Sequence, residues 1–209
     1  MLSRFAPAAR RLGRPAVRSL AVSRPSEDAE HVVFPREGPG LDYALNWSLN
    51  GDGITPSAQA FRLTKASAAA KLLGKAPPAP AGKGAAAAEA GDAAFDASFD
   101  AAAVALEAAQ TLYVAEGDAP ATRTPCRVIT DDAALGAAAI AHCLDRMPLR
   151  APTELPVTAY VTRSGEDFSG FVVDDDRVKI VLSGASATPA VLKASLVSAA
   201  ARETARVEA

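Results

Sequence analysis

In the second half of the chain, runs rich in β-branched and aromatic residues recur between glycine, proline and aspartate punctuation, the pattern of half-buried or buried strands. Five such runs stand out: TLYVAEG (111–117), CRVIT (126–130), PVTAYVTRS (156–164), FSGFVV (168–173) and RVKIVLSG (177–184). Asp174, Asp175 and Asp176 separate the last two and predict a hairpin or tight connection. Helical spacing takes over between and after these runs. FDAAAVALEAAQ (99–110) carries Phe99, Val104 and Leu106, with Ser98 as its expected N-cap. DDAALGAAAIAHCLDRM (131–147) is expected to be capped by Asp131 and Asp132 and stopped by Pro148. The last helix opens at Thr188 and Pro189 and brings Val191, Leu192, Leu196 and Ala199 near one face. Strand, helix, strand, strand, strand, helix is an α/β pattern, and it predicts a mixed sheet with flanking helices.

The first half is less regular. SAQAFRLTKASAAAKLL (57–73) reads as one helix, with Pro56 at its start, Gly74 at its end, and Phe61, Leu63, Leu72 and Leu73 as its apolar contacts. Upstream, Tyr43, Leu45, Trp47 and Leu49 alternate with Ala44, Asn46 and Ser48, which predicts an extended, strand-like arm that turns at Gly51 to Gly53. Residues 74–94 hold alanine, proline and glycine and no large apolar side chain. Such a segment buries too little surface to offset its ordering entropy, so it reads as a flexible linker or inserted loop. The division is therefore 1–27, a targeting segment; 28–73, an arm and helix; 74–94, the linker; and 95–209, the α/β domain.

The targeting reading rests on charge. Arg4, Arg10, Arg11, Arg14, Arg18 and Arg24 precede the first acidic residue, Glu27, and Leu2, Phe5, Leu12, Val17 and Leu20 lie between them. A basic, potentially amphipathic helix without acids is the physical description of a mitochondrial transit peptide, with a plastid address as the alternative. The arginines interrupt every stretch that could serve as a secretory signal. Processing is expected near residues 19–28, and the matrix is the expected compartment.

Composition narrows the chemistry. Hydrophobic residues make up 49% of the 209 positions, yet much of that is alanine and only 5% of residues are aromatic, so the core is thinner than the figure suggests. A net charge of −2 argues against nucleic acid as a partner, and no run reaches the roughly 18–20 strongly apolar residues of a membrane span. Two cysteines, Cys126 and Cys143, and two histidines, His31 and His142, do not make a disulfide framework or a structural zinc set. Ala81-Gly82-Lys83-Gly84 fails as a phosphate loop because glycine follows the lysine and Pro77 stands where the first glycine belongs. The two glycines around GDGITPSAQ read as a turn. Asp174 to Asp176 lack the glutamate and glycine spacing of a calcium loop, and Ser164 and Ser183 lack the glycine before a nucleophile elbow. Arg123, Arg127 and Arg150 read as solvated or salt-bridged. No residue is assigned to catalysis, to a cofactor or to a metal.

Four blocks occurring in order carry a family resemblance. EGPGLDYALNWSLNGDGITPSAQAFRLTK, TLYVAEGDA, CRVITDDAALGAAAIAHCLDRMPLRAP with VTAYVTRS, and GFVVDDDRVKIVLSGASATPAVLKASL together resemble the N-terminal portion of mitochondrial proteins related to ATP-type phosphoenolpyruvate carboxykinase. The resemblance implies a carboxykinase-type N-terminal α/β domain. In a full-length member it also implies conversion of oxaloacetate and ATP to phosphoenolpyruvate, carbon dioxide and ADP, a gluconeogenic lyase reaction using ATP and manganese or magnesium. This sequence departs from that pattern: it has no TGRSP-like arginine loop, no GGEMKK-like segment and no phosphate loop ending in lysine and threonine. It ends where the catalytic half would begin, so the expectation is an inactive chain without cofactor. The competing expectation is a noncatalytic mitochondrial structural or assembly subunit, with a mitochondrial protein complex as its partner.

Overall fold

A computed structural model of the chain describes residues 43–145, 155–174 and 177–208. Of its two units, Met1–His31 and Val32–Ala209, only the second contains described residues. The expected transit peptide, His31, Pro148, Arg150, Asp175 and Asp176 lie outside them.

The second unit is built on one sheet of seven strands in the order β1-β3-β4-β5-β7-β6-β2. At its centre β4 (Pro125–Thr130), β5 (Val157–Thr162) and β7 (Val178–Ser183) run parallel. On one side β3 (Thr111–Asp118) is antiparallel to β4 and carries the edge strand β1 (Gln59–Leu63) parallel to itself. On the other, β6 (Phe168–Val173) forms the expected antiparallel pair with β7 and carries the two-residue β2 (Ala88–Glu89). The sheet is mixed, as the pattern of runs predicts.

Strand alternation then assigns the two faces. Cys126, Val128, Val157, Ala159, Val161, Val178, Ile180 and Leu182 point to one side, where α4 (Ala133–Ala138), the π-helical turn Ala139–Cys143 and α5 (Pro189–Glu208) cover them. Leu112, Val114, Ile129, Tyr160 and Val181 point to the other, against α1 (Tyr43–Gly51) and α3 (Asp92–Ala108). The remaining helix, α2 (Ala66–Leu73), packs beside α4. Thr188 Oγ accepts from Val191 N at the start of α5, and Leu192, Leu196 and Ala199 are buried on its sheet side with Val191 at the margin.

Several elements depart from the expected ones. The stretch read as a strand-like arm is the helix α1: Leu45 and Leu49, four apart, both bury against the sheet, whereas Trp47 is only half-buried. Its end is a Schellman motif, in which Gly53 at φ 82° donates to Asn50 O and Ile54 donates to Leu49 O. The single helix expected over 57–73 is β1 followed by α2; Phe61 stacks on Tyr113 across the β1–β3 pair, a contact that only the extended backbone provides. Helix α3 starts at Asp92 rather than at Phe99, with Gly91 at its N-cap, and Ser98 lies inside it, donating to Ala94 O. Within 74–94 the structure places β2 and the first residues of α3. The helix expected to continue to Met147 stops at Cys143, because Asp118 and Asp145 exchange backbone hydrogen bonds of 3.0 and 2.8 Å. Glycine permits this approach: a Cβ on residue 117 would lie 2.4 Å from Asp145 O.

Candidate functional site

A largely buried polar cluster lies beneath α1, on the face shared with α3. Glu116 and Arg127 are direct cross-strand partners in the β3–β4 ladder, and both occupy inward positions of their strands. Buried arginine requires partners for its guanidinium. Arg127 Nε and Nη2 donate to Glu116 Oε1 at 3.0 and 2.6 Å, while Nη1 donates to Ser48 Oγ at 2.7 Å and to Asp52 Oδ2 at 2.5 Å. Arg177, at the start of β7, donates to Asp52 Oδ1 at 3.1 Å. Arg62 of β1 pairs with Glu116 Oε2 at 3.6 Å. All four carboxylate oxygens of the two acids are thus engaged by guanidinium groups.

Helix α1 is anchored here a second time. Tyr160 of β5 donates to the Asp52 carbonyl at 2.7 Å, and its ring meets Phe99 edge-on with centroids 4.9 Å apart. Burial raises the Tyr160 phenol well above its ordinary value, with the nearby Asp52 charge adding to the effect. Tyr160 is therefore a neutral donor in this arrangement and not a proton-transfer group near neutral pH.

A second polar group gathers where the three central parallel strands end, the side on which open α/β sheets commonly bind ligands. Asp132 caps α4, its Oδ1 accepting from Ala134 N and Leu135 N at 2.6 and 3.2 Å, and its Oδ2 pairs with Arg163. Asp131 is not the cap: its Oδ2 accepts from Thr162 Oγ at 2.7 Å. Ser183 Oγ donates to Glu166 O, and Ser164 N donates to Thr162 Oγ at 3.1 Å. Both serines thus serve loop geometry at the strand ends.

No protein-family model and no curated protein sequence matches the chain.

The remaining candidates disperse over the fold. Cys126 and Cys143 are both buried free thiols, Cys126 donating to Thr124 O and Cys143 to Pro189 O. Burial raises their pKa to about 12 and about 11, so neither is a ready nucleophile. His142 sits with Nε2 3.3 Å from Pro77 O. Arg123 is exposed and pairs with Asp145 at 4.0 Å. Asp174 pairs with Lys179 at 2.5 Å and closes the β6–β7 connection through its backbone bond to Arg177 O.

Among the described residues, neither a metal-ligand set nor a phosphate loop of the kind the family resemblance implies for a full-length enzyme is assembled. Among the described residues no cluster of three or more histidine, cysteine, aspartate or glutamate side chains could hold a metal ion. Gly82-Lys83-Gly84 lies between α2 and the short β2, outside the strand-to-helix setting a phosphate loop needs, and Gly84 packs on the backbone of Ala190. Among the described residues no helix is long and apolar enough to cross a membrane.

Asp52, Ser48, Glu116, Arg62 and Arg177 were not singled out by sequence, although one signal was available. Glu116 shares the parity of Leu112 and Val114, and Arg127 shares that of Ile129, so both are charges at core-facing strand positions.

Proposed function

We propose that this chain is a noncatalytic mitochondrial relative of the N-terminal domain of ATP-type phosphoenolpyruvate carboxykinase. The observation that carries the reading is the ion network in which Arg127, Arg62 and Arg177 engage all four carboxylate oxygens of Asp52 and Glu116, and Arg127 binds Ser48 and Asp52 at the end of α1 to the sheet. Groups committed in this way hold a fold and are poorly placed to grip a substrate. A second support is the position of the resembling stretches. TLYVAEGDA spans β3, CRVIT and VTAYVTRS supply the adjacent parallel β4 and β5, and GFVVDDDRVKIVLSG supplies β6 and β7. Four stretches separated in sequence thus make one contiguous sheet.

A coupled assay of the purified chain with oxaloacetate, ATP and manganese is the direct test. The expected outcome is no phosphoenolpyruvate above an enzyme-free control. Turnover abolished by substituting residues of this chain would overturn the noncatalytic reading.

A further inference from the structure

Residues 75–91 cross the helical face between α2 and α3 in a chain of small side chains. Along the way Pro77 O meets His142 Nε2, and Gly84 approaches Ala190 so closely that a Cβ would lie 2.2 Å from its carbonyl carbon. Ala87 N then donates to Ser195 Oγ at 2.9 Å, and β2 pairs with Gly170 and Phe171 on the outer edge of β6. Ala90 N donates to Phe171 O at 2.9 Å.

These contacts are polar or backbone contacts, and Ala87 is the one buried residue of the segment. The ion pair Arg202 to Glu89 that flanks β2 is exposed on both sides, so solvent weakens it. A shallow groove of about 430 Å³ separates Lys83 and its neighbours from Lys193 and Val197 of α5. The core strands β4, β5 and β7, by contrast, are buried on both faces by large apolar residues. Local stability follows buried apolar contact, and this segment has little of it. Gly74, in the left-handed region at φ 64°, supplies a pivot at one end, and Gly91 before α3 marks the other.

We propose that residues 75–91, β2 included, form a clasp that opens as one unit from α5 and from the edge of β6 while the other six strands of the sheet stay folded. Opening uncovers the backbone of β6 at Phe171, whose carbonyl the shut clasp occupies. The proposal does not depend on the carboxykinase reading, since it rests on contacts within this chain alone.

Amide hydrogen exchange of the full chain, read residue by residue by NMR, tests it. In the unmodified protein the Ala87 and Ala90 amides should exchange at least about tenfold faster than that of Tyr160 in β5. Ser195→Ala removes the acceptor of the Ala87 amide and should speed Ala90 exchange as well by about fivefold, the worth of one net hydrogen bond. Ala90 is the discriminating reporter because its own acceptor, Phe171 O, is untouched. Gly84→Val, which forces the clasp off Ala190, should accelerate both amides further with Tyr160 unchanged. Exchange of Ala87 and Ala90 at the rate of Tyr160 would overturn the proposal. So would an Ala90 amide unmoved by Ser195→Ala, since the clasp would not then open as a unit. Should Gly84→Val not fold, the Ser195→Ala comparison decides alone.

Discussion

Arg127 shows how one side chain sets the polar character of the interior. Its side chain is 7% exposed, and it stands between Cys126 and Val128, which point to the opposite face. Arg127→Ala would leave Asp52 and Glu116 buried beside each other without their shared counter-charge. Loss of one partner from a buried pair costs about 3–5 kcal/mol. We expect urea unfolding of Arg127→Ala to show a loss of that size, and a Glu116→Gln, Arg127→Met double variant to recover part of it. A loss below about 1 kcal/mol, the level of an exposed pair, would refute the keystone role. The buried thiols make a separate prediction about pH. Cys143 rises from the ordinary 9.0 to about 11 because the fold desolvates it, so the folded state keeps its proton where the unfolded chain loses it. The contribution is therefore present in full below about pH 9 and is lost as pH rises through about 11. Between these limits the unmodified protein should lose stability more steeply than Cys143→Ala, by up to about 1.4 kcal/mol per pH unit. Parallel pH profiles of the two proteins would count against the assignment.

At the scale of elements, the informative cases are those in which short-range pattern and long-range partner disagree. Alternation over 43–49 suggested a strand, and Leu45 with Leu49 equally fits a helix; the pattern alone does not arbitrate over so few residues. The arbiter was present nearby in the sequence, because Asn50-Gly51-Asp52-Gly53-Ile54 is a helix end with a left-handed glycine and an apolar residue after it. Gly53→Ala should cost about 1–2 kcal/mol, since an L-residue is strained at φ 82° and Phe99 lies 3.3 Å from the Cβ position. Gly51→Ala, inside the helix with nothing within 4 Å, should be neutral or stabilising. Thermal melts of the two variants check the contrast, and equal effects would remove glycine geometry as the cause. In β1 the disagreement runs the other way. Residues 57–73 form a plausible helix on propensity, and pairing along β3 takes the first part of it into the sheet.

For the whole molecule, one sheet serves two cores. Leu106 of α3 is fully buried on one face, and Leu196 of α5 is fully buried on the other. Leu106→Ala and Leu196→Ala should each cost about 2–5 kcal/mol. Because the two side chains share no partner cluster, their effects should add within about 0.5 kcal/mol. A single cooperative transition in the double variant is the expected readout, and two separate transitions would show that the layers fold independently. The strands β3 to β7, α5 and the hairpin were legible in the sequence, because each is set by contacts of fixed period and bounded by local turn chemistry. The ion network was not, since its members span residues 48 to 177 and meet only when β1, β3, β4, β7 and α1 assemble. Strand order was equally hidden, for adjacency depends on which edges meet and not on any one segment's pattern. The sequence by itself determined the α/β class, the central strands and the inward face of α5, whereas on α3 it marked Leu106 correctly but also Val104, which is exposed, and passed over the buried Phe95. Tertiary structure alone decided that β1 leaves the expected helix to join the sheet, and that three arginines and two carboxylates distant in sequence pair with one another. The physical reason is range: local periodicity is written in neighbouring residues, whereas pairing and charge compensation are settled by what the folded chain brings within a few ångströms.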